Sequence, residues 1–256
     1  MNLKTPKNVL KGAEGFHFKG SNNGVILIHG GGGGSASDMR EMGKYIYEAT
    51  GMSVFAPLLP GYGTTKEDLY KTKVEDWINA LKQWLLDFKN EVDKIFLIGH
   101  SMGGILALYL ACQFPNEVHG VISISTPMKL KGFLLKLVPL FQIFIKYWKT
   151  NDIEEFQKIS NGIWVGYEKI PLNTLSKIKK LIRITKANLN QLKSPILIIQ
   201  GNKDQFVPKS SPNFIYNSVS STDKSIKWFD TTHEILFSKI KNELFSTITE
   251  FLKKFI

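Results

Sequence analysis

Cysteine and arginine are nearly missing from this chain of 256 residues, which has one of the first, Cys112, and two of the second, Arg40 and Arg183. A lone cysteine excludes an internal disulfide and a thiolate metal cage, and no His/Cys/Asp spacing suggests a metal site. The scarcity of arginine matters because 33 basic residues against 22 acidic ones leave a net charge of +11, a balance that ordinarily raises nucleic acid as a partner. Bidentate recognition of phosphates and base edges depends on the guanidinium fork. An almost all-lysine excess therefore reads as solvated surface, and no nucleic-acid partner is expected. Long apolar runs are lacking as well. The strongest, over 133–148, is broken by Pro139 and interrupted by Lys136, Gln142 and Lys146, and it is shorter than the roughly 20 residues of a membrane-spanning helix. The first twelve residues hold no apolar core of a secretory leader, so a cytoplasmic location is expected. Repeats are absent too, and 43% hydrophobic residues suffice for one full core with an insertion.

What the chain does have is alternation. Short β-branched and apolar runs predict strands over 25–28, 53–56, 94–98, 119–124, 195–199 and 226–229, and helical spacing covers 37–50, 73–90, 102–113, 209–219 and 236–254. Strand and helix in turn imply an α/β fold, a mostly parallel sheet with helices on both faces. The alternation stops over 128–190. That stretch is expected to form a helical cap inserted into a core made of 1–127 and 191–256. It carries twelve Lys/Arg against Asp152, Glu154, Glu155 and Glu168, which is +8 of the +11.

Gly99-His100-Ser101-Met102-Gly103 follows one buried strand and opens an apolar helix. On such a strained turn, side chains at positions 99 and 103 would collide with neighbouring backbone, so the glycines free Ser101 to act as a nucleophile. A serine hydroxyl is weak at neutral pH and needs a general base oriented by a carboxylate. Of five histidines, His29 and His100 lie inside glycine motifs, and His17 and His119 sit near strand starts, where structural roles are expected. His233 follows the last strand, at the sheet edge where catalytic groups of open α/β folds collect, and is the expected base. Asp204, in the loop after the preceding strand, is the expected orienting carboxylate. Its rival, Asp230, is only three residues from His233 and reaches behind the ring less easily. The glycine run from Gly30 to Gly34 after the first strand suits an oxyanion hole, with the N–H of Gly31 (alternate Gly32) and that of Met102 as donors.

These motifs, with Ser35 to Arg40, Pro60-Gly-Tyr-Gly63, Asp76-Trp77, Gly104 and Gly201-Asn-Lys-Asp-Gln-Phe-Val-Pro208, resemble the bacterial carboxylesterase and monoacylglycerol lipase branch of the α/β-hydrolases. The resemblance runs from Val25 to the C-terminus and is weakest in the cap. It implies the α/β-hydrolase fold, a Ser101–Asp204–His233 triad and hydrolysis of short- to medium-chain acyl esters through an acyl-enzyme. The partner would be a small lipophilic ester such as a monoacylglycerol, with no cofactor. Carbon–carbon bond hydrolases, serine peptidases and cofactor-free haloperoxidases share such a triad, and a non-enzymatic ligand-binding protein could share the fold. The chain departs from the family at Gly31, where a larger residue is usual, and at Thr232, where glycine is usual. Among α/β-hydrolases a glycine-only loop accompanies acceptance of hindered esters, so acetates of tertiary alcohols are expected substrates. The apolar run of the cap is expected to cover the pocket, and its lysines suit a weak contact with an anionic membrane surface.

Overall fold

Val25, Ile26, Leu27 and Ile28 are all buried, and they alternate between two apolar layers, Val25 and Leu27 facing one and Ile26 and Ile28 the other. A strand with both faces covered belongs inside a sheet. The computed structural model describes residues 8–129 and 145–256. Its strands are β1 (Phe16–Phe18), β2 (Ser21–Ile28), β3 (Met52–Ala56), β4 (Lys94–His100), β5 (Val118–Ile124), β6 (Tyr147–Lys149), β7 (Lys169–Pro171), β8 (Ile196–Gly201) and β9 (Lys224–Phe229). Seven form one sheet in the order β1-β3-β2-β4-β5-β8-β9. All its neighbours are parallel except β1, which runs against β3.

The described helices are α1 (Arg40–Thr50), α2 (Lys66–Lys71), α3 (Val74–Lys89), α4 (Met102–Gln113), α5 (Ile153–Ile159), α6 (Asn173–Lys186), α7 (Ser210–Ser218) and α8 (Lys241–Lys253). In α3, Val74, Trp77, Leu81, Leu85 and Phe88 are buried at the three- and four-residue spacing of one helix face. The α4 sequence is apolar around its whole circumference because it is covered on both sides, by β4 and β5 and by α6. Across the sheet, Met42 and Ile46 of α1 pack with Phe245 and Ile248 of α8.

The expected helices at 37–50 and 236–254 both begin later than their periodicity suggests. A 3-10 turn, Ala36–Met39, precedes α1, and another, Ile235–Phe237, precedes α8. The segment between β5 and β8 is not helical throughout. Strands β6 and β7 form an antiparallel ribbon there, with Tyr147 opposite Pro171. Three-residue strands that pair only with each other leave no run long enough to compete with helical periodicity. Residues 130–144, which hold most of the apolar cap run, lie outside the described residues. Among those described, no helix is long and apolar enough to cross a membrane.

Parallel strands bring their C-terminal ends to one edge. The loops that follow β2, β4, β5, β8 and β9 meet there; Gly31, Gly32, Ser101, Asp204 and His233 lie in them, and Met102 opens α4 at the same edge.

Candidate active site

Ser101 stands between β4 and α4 with φ 53° and ψ −118°, a conformation that non-glycine residues seldom adopt. Its N–H donates to the Ile124 carbonyl at 2.8 Å, tying the turn to β5. A Cβ at position 99 would run into the Gly103 carbonyl, and one at 103 into that of Ile28. Both glycines of the motif are therefore required by close backbone approach.

His233 brings Nε2 to 3.1 Å from Ser101 Oγ and donates its Nδ1–H to Asp204 Oδ2 at 2.7 Å. Asp204 is buried, yet its carboxylate is fully engaged. Oδ1 accepts the N–H groups of Phe206 and Val207, each at 2.8 Å, and Oδ2 also accepts the side-chain amide of Gln200 at 2.8 Å. Burial alone would raise the Asp204 pKa, but the bond and charge of His233, with the two backbone donors, hold it below the ordinary value. Burial likewise disfavours imidazolium at His233, and the bond to Asp204 and the charges of Asp204 and Glu234 outweigh it, leaving that pKa raised.

The remaining histidines have structural partners. His100 donates Nε2–H to the His233 carbonyl at 3.1 Å, since a carbonyl can only accept, and burial together with the charge of His233 lowers its pKa to about 3. It thus holds the His233 backbone as a neutral ring, a role its position in the motif did not reveal. His29 donates Nδ1–H to the Gly30 carbonyl at 2.9 Å and accepts the Leu59 N–H on Nε2 at 3.1 Å, with burial lowering its pKa to about 4. His17 packs between the rings of Phe55 and Phe88, and His119 Nδ1 accepts the Ile95 N–H. Asp230 is exposed and pairs with Lys203 at 2.8 Å, away from the imidazole.

The glycine loop passes close to Ser101, where a Cβ on Gly30 would lie 3.6 Å from Ser101 Cβ. Its carbonyls are held in succession, Gly30 by His29, Gly31 by Tyr62 Oη at 3.2 Å and Gly32 by Asn151 Nδ2 at 2.7 Å. In a trans peptide the N–H points opposite to the preceding carbonyl. Fixing the first two carbonyls therefore turns the N–H groups of Gly31 and Gly32 away from His29 and Tyr62. The space beside the glycine run is uneven: a Cβ at Gly31 would meet Met102 Sδ at 2.7 Å and Tyr62 Oη at 3.3 Å, whereas one at Gly32 meets nothing within 4 Å. At the mouth of the site, the ring of Phe206, 66% exposed, stands edge-on to His233 at 5.3 Å. No group of three or more His, Cys, Asp or Glu side chains that could hold a metal occurs among the described residues.

A sequence family described as serine aminopeptidase, S33, matches residues 20–239. The chain belongs to this α/β-hydrolase family. The hydrolase is 31% identical to a carboxylesterase of Bacillus subtilis (strain 168), with 99% of each chain aligned. It is 32% identical to a thermostable monoacylglycerol lipase of Bacillus sp. (strain H-257), with 85% of each covered. Among solved structures, one from work on the metagenome-derived lipolytic enzymes LipS and LipT superposes with a TM-score of 0.86 at 25% identity, covering 96% of this chain and 100% of that one. The fold expected from the motifs is the fold this hydrolase has.

Proposed function

We propose that the hydrolase is a serine carboxylesterase that cleaves short- to medium-chain acyl esters of lipophilic alcohols, monoacylglycerol-like esters among them, with Ser101, His233 and Asp204 as its triad. The observation that carries this reading is the unbroken line of hydrogen bonds from Ser101 Oγ through the His233 ring to Asp204, at 3.1 and 2.7 Å. As Ser101 Oγ attacks the ester carbonyl carbon, His233 Nε2 takes its proton. Asp204 stays ionised and stabilises the imidazolium. The oxyanion is received by the N–H of Gly31, with Gly32 as the alternate, and by the N–H of Met102 at the positive end of α4. The carbon–oxygen bond to the alcohol then breaks, and His233 returns the proton to the leaving alkoxide. Water, deprotonated by His233, releases the acid from Ser101 and restores the enzyme.

In this reading the cap, taken as 128–190, would serve as the cover of the pocket. Its described surface also supports weak contact with an anionic membrane, because Ile145 and Trp148 are exposed beside Lys146 and Lys149. A cytoplasmic location suits the single cysteine, a buried thiol whose pKa burial pushes up to about 12. Turnover of p-nitrophenyl butyrate and a monoacylglycerol, against a p-nitroanilide and a β-diketone, tests the reaction class. Ester hydrolysis should dominate, and preferential cleavage of the amide or the diketone would replace this reading with peptidase or carbon–carbon hydrolase chemistry.

A further inference from the structure

A run of glycines is a poor material for an oxyanion hole unless something immobilises it. Glycine backbone has the most conformational freedom of any residue, and donors aimed at a transition state help only when their geometry is set beforehand. The core fixes the first part of the loop, through His29 at the Gly30 carbonyl and Tyr62 at that of Gly31. The second part is fixed by the cap. Asn151, buried in the segment between β6 and α5, donates one hydrogen of its amide to the Gly32 carbonyl and the other to the Tyr167 carbonyl, both at 2.7 Å. The Tyr167 N–H in turn donates to the Gly33 carbonyl at 2.8 Å.

At Gly33 and Gly166 the two segments approach too closely for side chains at those positions. Gly33 has φ +105°, and a Cβ there would meet Asn151 Nδ2 at 2.8 Å and Ile170 Cγ2 at 3.0 Å. A Cβ on Gly166 would run into the Gly33 carbonyl. The contact continues past the loop, where Ser35 Oγ donates to the Val165 carbonyl at 2.7 Å and the Val165 N–H donates to Ser37 Oγ at 3.0 Å. Gly32 itself is exposed, with nothing near its Cβ direction; Tyr62 holds the peptide before it, and the bond from Asn151 holds the peptide after it.

We propose that Asn151 is a positioning residue for the oxyanion loop, so that the cap helps to hold the transition state in addition to covering the pocket. The inference rests on the reading that Gly31 or Gly32 donates to the oxyanion. Freeing Gly32 lets the peptide planes of the loop drift, and an interaction made only in the transition state is lost from kcat with KM kept. Asn151→Ala removes the donor. Asn151→Asp keeps the size but sets a carboxylate oxygen against two carbonyls, and it provides the test should the alanine variant fail to fold.

The experiment measures kcat and KM on p-nitrophenyl butyrate together with inhibition by butylboronic acid, whose tetrahedral adduct with a serine resembles the transition state. In folded variants, verified by thermal unfolding, kcat should fall by roughly tenfold or more and the boronate should weaken in proportion, with KM within about twofold. Unchanged kcat and boronate inhibition would overturn the proposal. A raised KM with kcat and boronate inhibition retained would also overturn it, by making Asn151 a wall of the substrate pocket. Failure of the underlying reading shows separately, in a wild-type enzyme that has no Ser101-dependent hydrolysis and no boronate inhibition.

Discussion

Gln200 donates its side-chain amide at 2.8 Å to Asp204, on the same oxygen that accepts His233 Nδ1–H. With the Phe206 and Val207 amides on the other oxygen, the carboxylate is held by donors on both sides and cannot rotate freely behind the imidazole. Replacing Gln200 with leucine removes a donor to the ionised form, which raises the basicity of Asp204 and strengthens its hold on imidazolium. The acid limb of kcat/KM should move to higher pH and kcat should fall several-fold. A pH–rate profile checks this, and an unmoved limb in a folded variant would reduce Gln200 to packing.

The wild-type acid limb should itself lie above the ordinary histidine value of 6.5. His233 is half-buried, and its partial desolvation opposes its charging, but the hydrogen bond to Asp204 and the charges of Asp204 and Glu234 raise its pKa, while His100 beside it is neutral. Below that raised pKa His233 is protonated and cannot take the Ser101 proton, so activity falls as pH falls. The sign for stability is opposite. A raised His pKa contributes stability that is fully present below the unfolded value and is lost as pH rises through the folded one. Parallel measurement of kcat/KM and of the unfolding midpoint across this range should show the two trends diverging.

Asp204→Asn should lower kcat by roughly 10³- to 10⁴-fold, because an amide at this position favours the imidazole tautomer that presents a proton to Ser101. Asp230→Asn should leave kcat near wild type, since Asp230 lies at the surface with Lys203 and Asn202 as its partners. Kinetics of the two variants side by side decide between the carboxylates.

Much of this site is legible in the sequence because its parts are local. The elbow needs two glycines within four residues of each other, and the order Ser101, Asp204, His233 follows the order of the strands. What is not legible is short or distant. Strand β1 has three residues, too few for an alternating pattern, and α2 has six with only Leu69 buried. Asn151 and Gly32 are 119 positions apart, and the partner of His100 is 133 positions away. Gln200 did leave a signal. A glutamine near the end of an otherwise apolar buried strand must find a partner, and Asp204 is four residues on.

Within the glycine run, the hindered-ester expectation is best tested at Gly32. Gly31 is packed against Met102 and Tyr62, so a bulky side chain there would displace the loop, while Gly32 opens to free space. Gly32→Phe should therefore lower activity on tert-butyl acetate far more than on ethyl acetate. Equal losses on both would indicate a general defect of the glycine loop.

If the cap meets membranes, the exposed Trp148 and Ile145, beside Lys146 and Lys149, are candidates to enter the interface, with Ile153 and Ile159 also exposed in the same stretch. The protein should sediment with anionic vesicles at low salt and be released at high salt, and Trp148→Ala should weaken that binding. The same sedimentation with neutral vesicles serves as the control, and equal partition into both would leave the cap as a pocket wall alone.

The most direct measurement of the central claim is covalent capture of the nucleophile. Incubation with a fluorophosphonate, followed by peptide mass spectrometry, should place a single adduct on Ser101, abolish hydrolysis of p-nitrophenyl butyrate in step with labelling, and leave Ser101→Ala unlabelled and inactive. Labelling at another residue, or wild-type turnover by Ser101→Ala, would contradict a serine esterase built on Ser101, His233 and Asp204.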